Sequence, residues 1–159
     1  MQFFLTSPDY NKKQTNVTKV RVSLRTGIAE ILENHQNLMG KVENNVVEIE
    51  TNFEGRIEKF LFVLQEGVFI VSNDGLDPNA LENQESGETV VYLYSSRAIE
   101  VNSSTPVETL MKEEEQKRET VEKELSTVRE GKNSKILLVQ ADILFLEKAI
   151  TSVKEFKQK

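Results

Sequence analysis

Few residues of this chain could do covalent chemistry. It has no cysteine and one histidine, His35. Thiol catalysis, disulfides and Cys-based metal sites are therefore excluded, and a multi-histidine metal site cannot be built. The sequence contains no P-loop, GxSxG, HExxH, EF-hand or GxGxxG pattern, so nucleotide-splitting, esterase and metalloprotease chemistry lack their usual scaffolds. No cofactor is expected. His35 closes the segment Gly27–His35, which mixes apolar Ile28 and Ile31, acidic Glu30 and Glu33, and neutral hydrogen-bonding Asn34 and His35. Such a surface suits a protein partner with a basic rim and a small apolar contact.

The elements that position this segment change type near residue 104. Residues 1–101 read as short alternating strands. Val20, Val22 and Leu24 alternate with polar residues, as do Val47 and Ile49, and the runs IEKFLFVL, VFIVS and VVYLYS follow. Turn chemistry stands between them at Ser7-Pro8-Asp9, Asn44-Asn45, Glu54-Gly55, Glu66-Gly67 and Asn73-Asp74-Gly75. The expectation is a β-sandwich or flattened barrel. Residues 73–88 read as a polar surface insertion, with a short helix conceivable at 78–84.

Residues 105–159 read as an antiparallel helical hairpin. Thr105-Pro106-Val107-Glu108 has the form of a capping box with proline at the first helical position. Glu113–Lys117, Glu114–Arg118 and Glu119–Lys123 stand at i, i+4 spacing. Gly131 is placed to end the first helix, and Asn133 or Ser134 to start the second. Ile136, Val139, Ile143, Leu146, Ile150 and Val153 keep the rhythm of a coiled-coil seam. Leu137, Leu138, Leu144 and Phe145 widen it, whereas residues 112–120 of the first helix are all polar. The second helix thus offers more apolar surface than the first can cover, so the β domain or another protein should bury the rest.

The formal net charge is −6. Residues 1–104 hold 9 Lys+Arg against 15 Asp+Glu, while residues 105–159 hold 11 of each. An acidic β part argues against nucleic acid as a partner, which needs clustered cations. No segment approaches the roughly 18 apolar residues of a transmembrane helix, and the N-terminal run lacks the basic flank of a signal peptide. The expected location is cytoplasmic, without membrane insertion.

The order of these features resembles the epsilon subunit of rotary F-type ATP synthases, and the resemblance covers nearly the whole chain. It is carried by FFLTSPDY and by VRVSLRTGIAEILENHQNLMGKV, where Gly27, Ile31, Leu32, His35 and Leu38 sit at matching positions. FLFVLQEGVFIVSN with Gly67, VVYLYSSRAIEV and ADILFLEKAITSVKEF extend it. The chain departs from the family at Glu33-Asn34, where Pro-Gly is usual, at Ile28, where an acid is usual, and at Glu30, where a glycine is usual. These departures describe a divergent member and leave open a specialised rotary ATPase.

The resemblance implies a non-catalytic central-stalk subunit. Its β domain would clamp a gamma-like rotor subunit. Its hairpin would dock on the β domain or reach toward an alpha/beta-like catalytic hexamer, coupling or regulating ATP turnover. The segment containing Ile28, Glu30, Ile31, Glu33, Asn34 and His35 would face a membrane-side base partner, a rotor ring or its replacement. Such a subunit is peripheral to the membrane. Some relatives bind ATP on the hairpin, but TPVETLMK lacks the arginine and alanine of that motif, so no nucleotide site is carried over. The alternative is a free-standing β-sandwich adaptor with a coiled-coil interaction hairpin.

Overall fold

Among the described residues, eight strands and two helices follow one another in the order the patterning predicts, β first and α last. A computed structural model describes residues 1–73, 88–127 and 133–158. The expected insertion at 73–88 lies outside the described residues except for its ends, Asn73 and Glu88, and so does the expected helix stop at Gly131. The chain divides into two units, Met1–Ile99 and Glu100–Lys159. The fold class is a β-sandwich followed by a helical hairpin.

The strands are β1 (Gln2–Thr6), β2 (Asn11–Gln14), β3 (Val17–Leu24), β4 (Gly27–Ile31), β5 (Leu38–Phe53), β6 (Arg56–Ser72), β7 (Val90–Ser95) and β8 (Ala98–Val101). Their order in the sheet is β2-β1-β7-β6-β5-β3-β4, with β8 on β6 off this path. Neighbours are antiparallel except β1 and β7, which run parallel. This one sheet folds over on itself. Phe3 of β1 stacks on Phe62 of β6 at 6.3 Å, although β7 lies between those strands. The amide of Val17 at the start of β3 also donates to the carbonyl of Met1, beside β1. Residues from both halves therefore share one core, among them Phe3, Leu5, Val20, Val22, Ile49, Phe62, Phe69 and Leu93.

The fold-over happens inside two strands that the sequence reading splits. Asn44-Asn45 and Glu66-Gly67 read as turns, yet β5 and β6 run continuously past them in an unbroken register from Leu38↔Val71 to Phe53↔Arg56. Their inward positions change parity instead. On β5 the core residues are Val42 before the bend but Val47 and Ile49 after it; on β6 they are Phe62 and Leu64, then Phe69 and Val71. Asn44 takes a left-handed φ of 44° at the bend, a conformation Asn tolerates better than most residues. Gly67 is needed because a Cβ there would lie 2.8 Å from the Tyr94 carbonyl oxygen. At this corner β6 also acquires new partners: Gln65 N–H donates to Arg97 O, and Ser96 N–H to Glu66 O. The turn signals were real, but they mark a bend and not a chain reversal. Glu54-Gly55, by contrast, is a true hairpin turn, and both residues have positive φ, as the type I′ geometry requires.

In the second unit, α1 spans Val107–Thr127 and α2 spans Asn133–Lys157. The seam residues Ile136, Ile143, Leu146, Ile150 and Val153 are buried, and Phe145 and Ala149 join them. Leu137, Leu138 and Leu144 remain exposed. The polar stretch of α1 reaches α2 through ion pairs: Lys117 Nζ lies 2.5 Å from Asp142 Oδ2, Arg118 pairs with Glu147, and Lys135 Nζ lies 2.7 Å from Glu124 Oε1. The i, i+4 expectations hold for Glu114–Arg118 and Glu119–Lys123, and Lys117 reaches across to Asp142. The capping box does not form. The Thr105 hydroxyl is buried and turned back, donating to the Glu100 carbonyl at 2.8 Å and accepting the Asn102 amide at 2.9 Å. A tight turn ahead of the helix takes the side chain that a cap would have used.

Candidate interaction surface

The two outer faces of the sandwich differ in chemistry. Across β4, β3 and β5 the outward positions Glu30, Arg21, Lys19, Glu48 and Glu50 alternate in charge, and β6 adds Lys59 beside apolar Ile57, Leu61 and Val63. Glu30 lies 3.2 Å from Arg21, and Arg21 pairs in register with Glu48. Lys19 and Lys59 flank Glu50 at 3.5 and 3.4 Å. The exposed Arg21–Glu30 pair contributes only about 0–1 kcal/mol, Lys19 and Glu50 are half-buried, and the same face carries apolar positions on β6, exposed Ile57 and buried Val63.

The opposite outer face is built from β5, β6, β7 and β1. One register row runs Met39, Ile70, Tyr92, Phe4; the next runs Lys41, Val68, Tyr94, Thr6. Met39 is 70% exposed, Tyr94 48% and Val68 39%. Phe4 stacks on Tyr92 at 5.4 Å. Strict alternation places Phe3, Leu5, Phe69, Val71, Val91 and Leu93 on the inner face of the same strands. These strands are thus apolar on both sides, the composition of an element meant to be covered. Sequence reasoning missed this face. Its signal was the lack of alternation in VVYLYS, which a strand with one wet face would show.

The segment singled out from sequence is only partly a loop. Gly27–Ile31 is strand β4, joined to β3 by the two-residue turn Arg25-Thr26. Ile31 is fully buried in the core and cannot meet a partner in the folded chain. Ile28 points outward at 61% exposure, and Glu30 joins the charge ladder.

Glu33, Asn34 and His35 follow in a turn stapled to the ends of the neighbouring strands. Glu33 Oε2 accepts from the Met1 ammonium at 2.6 Å, and Oε1 accepts from the Thr89 amide at 3.2 Å. Asn34, at φ 61°, donates its amide to Thr89 Oγ1 at 2.8 Å, and Thr89 donates to Asn73 Oδ1 at 2.7 Å. Asn73 Nδ2 donates to the His35 carbonyl at 2.6 Å, and His35 Nδ1 lies 2.8 Å from Gln36 O. These bonds anchor the turn to the neighbouring strand ends.

Burial works against the Glu33 charge, but the Met1 ammonium and the Thr89 amide outweigh it and hold the carboxyl below its ordinary value of 4.5. A depressed folded-state pKa contributes stability that is present above the ordinary range and is lost as pH falls through the folded value. Glu33→Gln should therefore melt at lower temperature than the parent at neutral pH. The difference should shrink as the buffer is taken below pH 4.5. A gap that stays constant from neutral to strongly acidic buffer would show that the Glu33 charge does not contribute.

Among the described residues no helix is long and apolar enough to cross a membrane. No protein-family model and no curated protein matches the sequence. Solved structures do match its shape. A chain of the Euglena gracilis mitochondrial ATP synthase, in an assembly described as OSCP/F1/c-ring in rotational state 1, aligns at a TM-score of 0.61 and 16% identity, covering 95% of this chain and 79% of that one. A chain of the Tetrahymena thermophila mitochondrial ATP synthase central stalk/c-ring aligns at a TM-score of 0.43 and 11% identity, over 66% and 72%. The Euglena likeness establishes a shared fold.

Proposed function

We propose that this chain is a non-catalytic, epsilon-like central-stalk subunit of a rotary ATPase, which binds a gamma-like rotor subunit and couples or regulates ATP turnover. The observation that carries this reading is the fold shared with a chain of the Euglena ATP synthase over 95% of the sequence. That likeness extends over both the sandwich and the hairpin of this chain, and the sequence resemblance names the same kind of complex. In this reading the gamma-like subunit covers the apolar face around Met39, Val68 and Tyr94. The exposed leucines of α2 serve the hairpin's contact with an alpha/beta-like hexamer, and Ile28, Asn34 and His35 face the membrane-side base partner. The subunit is peripheral to the membrane.

Capture of the tagged full-length chain from its own cells, with mass spectrometry of what co-purifies, is the direct test. Rotary ATPase subunits should dominate. Val68→Glu should deplete them severalfold, because a carboxylate placed in a desolvated contact is costly, whereas Lys59→Glu on the charged face should leave recovery unchanged. Capture that yields no rotary ATPase subunit removes the assignment. Equal recovery with Val68→Glu removes the apolar face as the docking site. Loss of residues 105–159 should change the hydrolysis rate of the complex; an unchanged rate would leave the stalk role but eliminate regulation by the hairpin.

A further inference from the structure

Among the described residues the main strand path ends in β2 and β4, and the two ends are treated differently. β2 ends one side. Its sequence is Asn-Lys-Lys-Gln, with the Lys12 ammonium 4.7 Å from the Phe60 ring centroid and the Lys13 ammonium 5.2 Å from that of Phe4. Lysines on a short edge strand are a standard obstacle to strand addition. β4 ends the other side and carries no such guard: Gly-Ile-Ala-Glu-Ile has one charge, already paired with Arg21.

The register shows which backbone groups of β4 are left over. Leu24 pairs with Gly27 across the two-residue turn, so they form a hydrogen-bonded pair, and so do Val22–Ala29 and Val20–Ile31. Ile28 and Glu30 alternate with them, and their N–H and C=O groups point away from β3. Among the described residues these four groups have no backbone partner. The Ile28 side chain beside them is 61% exposed.

We propose that the β4 edge is a strand-addition site that takes an extended segment of a partner chain, hydrogen-bonded to Ile28 and Glu30. The outer-face rows say what that segment should carry. One row reads Glu48, Arg21, Glu30 from β5 to β4, so the next place continues the alternation with a lysine or arginine. The adjacent row ends at Ile28 opposite Ser23, and an apolar residue there would cover the isoleucine. Backbone bonds supply the affinity, and these two side-chain places supply the selectivity. The inference does not depend on the stalk reading, since it rests on the sheet edge alone.

The test uses the full-length chain and a short capped peptide that alternates threonine with valine and lysine, with glutamate replacing lysine in a control peptide. Amide exchange followed residue by residue should show added protection at Ile28 and Glu30, with the lysine peptide binding more tightly. Glu30→Pro deletes one outward donor and the side-chain pair with Arg21 without touching a backbone bond to β3, and should weaken binding about tenfold, the scale of one lost hydrogen bond and a disturbed edge. Glu30→Gln keeps the donor and should lose only the preference between the two peptides. Thermal melts of both variants establish that they are folded.

Protection elsewhere, or equal binding by parent and folded Glu30→Pro, overturns the proposal. A second outcome also overturns it: protection at Ile28 and Glu30 that grows with protein concentration in the absence of peptide, together with a dimer in light scattering. That result would make the occupant of the edge a second copy of this chain.

Discussion

Phe62→Ala is expected to cost about 3–5 kcal/mol, the range for truncating a buried aromatic ring. Phe62 is fully buried on β6, stacks on Phe3 at 6.3 Å and meets Tyr10 at 6.1 Å. Those contacts join β1 and the approach to β2 to a strand on the far side of the fold-over. Removing the ring opens a cavity where two halves of one sheet meet, and rigid strands on both sides cannot collapse into it. Since whole domains are stable by about 5–15 kcal/mol, the variant should lose a large share of its margin. Denaturant unfolding followed by far-UV circular dichroism reads the change. A loss below about 1 kcal/mol, typical of surface positions and mild swaps, would show that the two halves do not close around Phe62.

Leu146→Asp should have an effect of the same size in the hairpin. Leu146 is fully buried in the α2 seam, and an uncompensated buried carboxylate costs about 3–5 kcal/mol. Part of that cost is avoided by protonation, so the variant should regain stability in acid as its carboxyl becomes neutral. Leu144→Asp, two residues away, is the matched comparison. Leu144 is exposed on the same helix, and its replacement should change stability by no more than about 0.5 kcal/mol. Helicity and melting of the two variants should differ sharply. If they behave alike, the buried face of α2 has been misplaced.

The contrast between these neighbours bears on what apolar residues in α2 are for. Sequence periodicity identifies the seam Ile136, Val139, Ile143, Leu146, Ile150 and Val153; five of the six are buried and Val139 is half-buried. It also counts Leu137, Leu138, Leu144 and Phe145 as surplus needing cover. Only Phe145 is covered; the three leucines are not. The polar stretch of α1 meets α2 through Lys117–Asp142 and Arg118–Glu147, long side chains that pair across helices without needing apolar surface beneath them. Such pairs are weaker than packing in water.

The candidate site was less legible than the fold. The resemblance and the mixed chemistry of Gly27–His35 treat Ile28, Glu30, Ile31, Glu33, Asn34 and His35 as one contact segment. The structure distributes them among three environments: outward on β4, inward in the core, and in an anchoring turn. Contiguity in sequence says nothing about which face a residue takes until the strand register is known, and a one-residue shift reverses it. The apolar face on β5, β6, β7 and β1 was invisible for a related reason. Met39, Val68, Tyr94 and Phe4 come from four separate segments, and only pairing brings them into two rows.

What the sequence determined by itself was the order of elements and their type. Local patterning suffices for that, since period-2 alternation, the Glu54-Gly55 turn, and the seam of α2 each act over a few residues. The tertiary structure decided where the chain bends without reversing. Asn44 and Gly67 carry the same residue types that make turns, and only cross-strand hydrogen bonds extending on both sides of them distinguish a folded-over sheet from two hairpins. It also decided that Thr105 serves a turn and not a cap, and that β4 is left as the open edge. Each of these outcomes depends on which distant backbone groups are available as partners, and every buried or paired amide must find one.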